Sequence, residues 1–276
     1  MSSQEINGRL RNVLSQIANF ANMYRRKYLS EDGLKEHDIA SISSIRDDWF
    51  DALKFFFSRV LYQGRRDKIS REVEKRVVDV LKNFFGDPKH RDKRFRDLKC
   101  KNWRQVREKL KDKIGRGKIG RERDIDLVID TLEFISRIPK KNIVEYAIQR
   151  IKRGELESLW RGLQRSKSEL GIRSVGEKTA ALFLRDLVVL FNLEEFVDDS
   201  KMIYLQPIDT WVKKICHRLA EEGLGLAGEG LKLARSIVKL CQSTGVSPID
   251  FNMGAWILGT HALEILMEKI ITSGTV

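Results

Sequence analysis

The chain is 276 residues long, 42% apolar and 33% charged, with a formal net charge of +13. That apolar fraction supports a sizeable core and excludes a disordered chain, and the length allows one large domain or two packed ones. The basic excess favours a polyanionic partner: DNA, RNA or an anionic membrane surface.

Only four prolines interrupt long stretches of 3.6-residue periodicity, which predicts an all-α protein. Residues 4–29 read as an amphipathic helix with Ile6, Leu10, Val13, Ile17, Phe20 and Ala21 on one face. The amino terminus lacks the apolar run of a secretory signal. A core helix follows at 46–62, where Trp49, Leu53, Phe56, Phe57, Val60 and Leu61 recur at helical spacing; Gly64 is its expected stop. Ser70 is the expected cap of "REVEKRVVDVLKNFF". Residues 88–113 hold twelve Lys/Arg against four Asp/Glu, together with Phe95 and Trp103. Trp103 there reads either as a stacking platform for a base or as a packed ring beneath a lysine-rich face. The glycines of "KIGRGKIGRERD" mark a loop, and its cations a phosphate contact.

Helices are expected at 123–137, 140–152, 154–169 and 176–191, then a loop over "NLEEFVDDSKMIYLQP". The stretch "TAALFLRDLVVLF" is broken by Arg185 and Asp186 and is too short to span a bilayer. Three more helices close the chain. One is stopped by Gly245, and the last has Ser247, Pro248 and Asp250 at its cap, first and third positions. About ten helices and no substantial sheet are expected. Cys100, Cys216 and Cys241 are scattered, which suits a reducing compartment, and neither CxxC nor HxxxH occurs. A soluble intracellular protein is expected, cytoplasmic or nucleoid-associated (nuclear in a eukaryote), with no metal, no cofactor and no membrane partner.

The segment "GIRSVGEKTA", residues 171–180, places a glycine-bearing turn directly before an apolar helix. A turn followed by a helix N-terminus aims unpaired N–H groups, backed by the helix dipole, at one point. A phosphate fits there without sequence readout. Ser174, Val175, Gly176 and Thr179 are the candidate DNA-backbone contacts. Lys178, just past the turn, reads either as a solvated cation or as an amine nucleophile. Downstream, "PIDTWV" opens a helix with Asp209, which taken alone is a helix cap.

Taken together and in this order, "SVGEKTA" and "PIDTWV" resemble the helix–hairpin–helix DNA glycosylase superfamily. The 31 positions between Lys178 and Asp209, and the absence of a four-cysteine cluster at the carboxy terminus, are most similar to its archaeal 8-oxoguanine glycosylase branch. The resemblance implies Lys178 and Asp209 as catalytic residues. It also implies a bifunctional glycosylase and abasic-site lyase in base excision repair that flips out an oxidised base, 8-oxoguanine, and acts as a monomer on double-stranded DNA without a cofactor. Gln63 stands where the family has a glutamine that enters the duplex or base pocket. "FNMGAWILG" is similar to the helix that walls the base pocket, offering Asn252 and Trp256 as base-pocket or duplex contacts, and Pro207, which opens "PIDTWV", is a further such candidate. The implied fold is all-α and two-lobed, with DNA in the cleft between lobes. One lobe takes 1–62 with 210–276, and the other takes 63–209, including the hairpin at about 165–191. The departures are Arg173 and Ser174, where the family has proline and glycine. A turn that requires positive φ at Ser174 would be strained. Competing expectations are a glycosylase for oxidised pyrimidines or another purine lesion, and a non-enzymatic DNA-binding module.

Overall fold

The computed structural model describes residues 3–62, 67–115, 118–169, 171–221, 226 and 228–272. Among the described residues all regular structure is helical, apart from one isolated bridge between Gln164 and Ile172. The protein is thus all-α. No helix among these residues is long and apolar enough to cross a membrane.

In chain order the helices are α1 (Ser3–Asn19), α2 (Ala21–Tyr24), α3 (Glu31–Lys35), α4 (Ile42–Asp47), α5 (Trp49–Val60), α6 (Asp67–Phe85), α7 (Arg91–Cys100), α8 (Arg104–Ile114) and α9 (Glu122–Ile135). The remainder are α10 (Ile143–Lys152), α11 (Leu156–Gly162), α12 (Glu177–Leu190), α13 (Thr210–Glu221), α14 (Gly230–Thr244) and α15 (Pro248–Thr272).

There are more helices than the sequence suggests, because some predicted ones are broken. The stretch 4–29 divides into α1, α2 and a π-helical turn at Arg25–Leu29. The predicted helix at 140–152 starts instead at Ile143, where the Asn142 carboxamide accepts the Glu145 N–H at 2.8 Å and caps α10. Ser70 is not a cap. Helix α6 begins three residues before it, and Ser70 is fully buried. The predicted loop after α12 contains two 3-10 turns, Glu194–Phe196 and Asp199–Leu205. Gly64 lies outside the described residues. Other terminators stand where expected. Gly245 closes α14 at φ +70, a left-handed position that glycine adopts freely. The Ser247 hydroxyl accepts the Asp250 N–H at 3.2 Å at the start of α15.

The chain forms two compact units, residues 1–33 with 198–276, and residues 34–197. In the first, α1, α2, α13 and α14 pack on α15. Its core includes Leu14, Val212, Ile237, Cys241 and Phe251, all fully buried. Burial pushes the Cys216 and Cys241 thiols up to about 12, so both behave as small apolar side chains.

Two helices of this unit meet closely at Gly254 of α15. A Cβ there would lie 1.9 Å from the Ile17 carbonyl oxygen of α1. That atom is backbone, so an added methyl must part the helices. Gly254→Ala is expected to destabilise the protein by about 1–3 kcal/mol or more, measured by denaturant unfolding. A loss below roughly 0.5 kcal/mol, the usual size of a surface change, would contradict this packing.

In the second unit α5 is the axis. All of its twelve residues are buried, with α4, α6, α10 and α12 packed around it. The sequence division assigned 34–62 to the terminal lobe; here α4 and α5 fall in the same unit as α12. The reason lies in the contacts. Phe55 and Phe56 meet Phe183, and Arg59 reaches Asp186, both on α12.

Candidate functional site

The helix predicted over 154–169 ends at Gly162, and residues 163–176 connect α11 to α12. This connection is pinched. The Ile172 N–H donates to the Leu163 carbonyl at 3.0 Å, and the Arg165 N–H to that of Ile172 at 3.4 Å. Gly171 is pressed on the Gln164 backbone, 2.4 Å from where a Cβ would sit. The loop therefore returns the chain to the end of α11 before the turn at 173–176. Helical periodicity fails here because Ser166, Ser168 and Gly171 replace the apolar repeat.

Within the turn Val175 is 3% exposed and anchors it in the core, while Ser174 and Gly176 are exposed. Ser174 stands at φ +65. For a non-glycine residue this left-handed conformation costs about 1–2 kcal/mol, which the surroundings must offset. Gly176 caps α12 in an extended conformation. Its N–H is taken by the buried Thr179 hydroxyl at 3.1 Å, and the Val175 N–H by Ile172 at 3.2 Å. Of the four expected backbone contacts, two N–H groups are thus bonded internally. The glycine cap offers no side-chain acceptor, so the first-turn N–H groups of Glu177 and Lys178 have no partner among the described residues. The Glu177 carboxylate also stands here, neutralised by Lys167 at 2.7 Å.

Lys178 is half-buried in the first turn of α12. Its ammonium reaches the Tyr62 carbonyl at 3.4 Å, at the end of α5. The candidate nucleophile is therefore held against a neighbouring element.

The sequence reading missed the residue that fixes this turn, Asp130 of α9. The Arg173 N–H donates to its Oδ2 at 3.0 Å, Arg173 Nε to Oδ2 at 2.8 Å and Nη2 to Oδ1 at 2.8 Å. Burial opposes the Asp130 charge, but these bonds and the nearby cation outweigh it and hold the carboxyl below its usual range. Hydrogen bonding to Asp130 in turn raises Arg173 further above its already high value. A signal was available. Glu122, Asp126 and Asp130 recur every fourth residue and so line one face of α9.

In the other unit, Asp209 caps α13. Its Oδ1 accepts the N–H groups of Trp211 at 2.9 Å and Val212 at 2.8 Å, and no described residue bonds Oδ2. Trp211, two residues on, is 39% exposed with the Lys214 ammonium 4.5 Å from its ring centroid. The indole is also packed against Gly259 of α15, where an added Cβ would lie 3.1 Å from its Cγ. Pro207 is buried, and its carbonyl accepts Asn252 Nδ2 at 3.4 Å; Asn252 is fully buried. Trp256 is half-buried among Tyr24, Tyr28 and His261, its ring edge-on to both tyrosines.

Trp103 is 2% exposed. Its ring packs edge-on to Phe95, and its indole N–H donates to Glu133 at 3.1 Å. It packs beneath the basic segment and presents no face for a base. Gln63 lies outside the described residues. Among the described residues no group of three or more His, Cys, Asp or Glu side chains could hold a metal ion.

No family model and no solved structure matches the chain. It is similar to the uncharacterized protein MJECL21 of Methanocaldococcus jannaschii, 34% identical over 80 residues. The match covers 29% of this chain and 17% of that protein, so the chain spans less than a fifth of its relative's length.

Proposed function

We propose that the protein is a DNA glycosylase with abasic-site lyase activity, acting by base flipping on a damaged base, 8-oxoguanine, in double-stranded DNA. The observation that carries this reading is the placement of Lys178. Its amine is half-buried and held at the Tyr62 carbonyl, in the first turn of a helix whose leading N–H groups have no partner among the described residues. A lysine that served only as a phosphate contact would extend into solvent, which disfavours the non-enzymatic module. The 8-oxoguanine assignment is supported by the resemblance of the motifs.

In this mechanism a base inside a duplex is out of reach and is first flipped out. Backbone N–H groups at the start of α12 bind a phosphate and fix the strand. The Lys178 amine attacks sugar C1′, and the base departs with the electron pair of the glycosidic bond. The amine proton passes to a carboxylate base that also stabilises positive charge on the sugar, the role that the motif resemblance gives Asp209. The sugar ring opens to a Schiff base between Nζ and C1′. Loss of a C2′ proton then expels the 3′ phosphate by β-elimination.

The test is a duplex carrying a single 8-oxoguanine, with free base and strand scission measured over time. Both are expected, and slower release is expected from duplexes that carry an oxidised pyrimidine. Faster release of the pyrimidine would move the lesion assignment. Binding without release of any base would favour the non-enzymatic module.

A further inference from the structure

Arg173 and Val175 flank the strained Ser174, and each is tied down differently. Val175 is buried. Arg173 gives three hydrogen bonds to one carboxylate, that of Asp130, and one of these comes from its main chain. Its Nη1 also lies 3.3 Å from Asp126. Asp126 takes Arg107 of α8 as well, at 2.9 Å, and Arg107 reaches Glu122 at 3.4 Å. One acidic face of α9 thus grips α8 at one end and the turn at the other.

An isolated exposed ion pair contributes little to stability. A bidentate guanidinium–carboxylate pair with an added main-chain bond is different, because it fixes the direction of the backbone as well as the position of a charge. Held at 173 and at 175, the chain has no room to relax Ser174 toward negative φ. The residues that follow are the cap of α12 and then Lys178.

We propose that Asp130 is a positioning residue. Through Arg173 it locks the 173–176 turn in its left-handed conformation and so sets the start of α12, with the Lys178 amine, for reaction. The catalytic part of this inference rests on the reading of Lys178 as the nucleophile. The locking of the turn does not.

The experiment compares the native chain with Asp130→Ala, Ser174→Gly and the double variant. Two quantities are read: amide exchange at Arg173 and Val175 in the free protein, and the rate of borohydride trapping on saturating abasic-site duplex. Asp130→Ala is expected to raise exchange at both amides roughly tenfold, since the local opening loses its restraint. It should slow trapping by a similar factor while DNA affinity changes less than about threefold, because the lysine is misplaced rather than the charge lost. Asp130→Asn, which keeps the shape and one acceptor, should fall between. Glycine adopts positive φ without strain, so the double variant should trap faster than Asp130→Ala alone. Unchanged exchange in Asp130→Ala would overturn the lock. Raised exchange with native trapping would overturn the positioning role, as would a double variant no faster than Asp130→Ala. If the native chain forms no adduct, the lyase reading fails and the positioning role with it, while the exchange comparison still decides the lock.

Discussion

Asp186→Ala is expected to lower the unfolding free energy by about 3–5 kcal/mol, the cost of leaving buried charge without its partner. Asp186 is fully buried on α12. It accepts Arg59 Nε at 2.7 Å from α5, and Arg185 Nε at 3.1 Å and Nη2 at 2.8 Å. Arg59 is 3% exposed and Arg185 1%. The Asp186 carboxylate therefore bonds two guanidinium groups that are almost wholly buried. Arg59 also donates to Ser58 at 2.6 Å and lies over the Phe55 ring, so it cannot turn outward without breaking α5 packing. Asp186→Asn keeps the shape but not the charge and should be destabilising in the same direction. Denaturant unfolding measures both. A loss below about 1 kcal/mol with an unchanged slope would show that the pair is not the joint between α5 and α12. The effect reaches the site, because α5 leads to Tyr62 and α12 carries Lys178 in its first turn.

Lys178→Gln is expected to reduce covalent trapping on abasic-site DNA by roughly three orders of magnitude or more, since no other group in the mechanism supplies the amine. Affinity for the same duplex should fall only slightly, because at most one cation is lost from a chain of net charge +13. Lys178→Arg should fail equally. Guanidinium keeps its charge at any working pH and forms no Schiff base. A variant that binds and traps like the native chain would remove Lys178 from the chemistry and leave it a structural contact to Tyr62.

Much of the helical order was legible because its signals are local. Apolar spacing located α5 and α12, Gly245 marked the end of α14, and Ser247, Pro248 and Asp250 marked the start of α15. What was not legible depends on partners distant in sequence. Trp103 sits among cations in the sequence, yet Phe95 and Glu133 draw it into the interior. The pinch that ends α11 early comes from pairing between Leu163 and Ile172, which propensity does not encode. Strain at Ser174 could be anticipated from the residue type. The device that holds it, Arg173 on Asp130, spans 43 residues and emerges only when α9 is packed beside the turn. The units divide at 33/34 and 197/198 rather than at 62/63 and 209/210, because α5 joins α12 through Phe183 and Asp186.

The central claim is that the Lys178 amine bonds to a sugar carbon. The direct measurement is to incubate the native chain with an abasic-site duplex, reduce with borohydride, digest the adduct and locate the modified peptide by mass spectrometry. One cross-linked residue is expected, Lys178, with no adduct from Lys178→Gln. No adduct from the native chain, or one on another lysine that persists undiminished in Lys178→Gln, would contradict it.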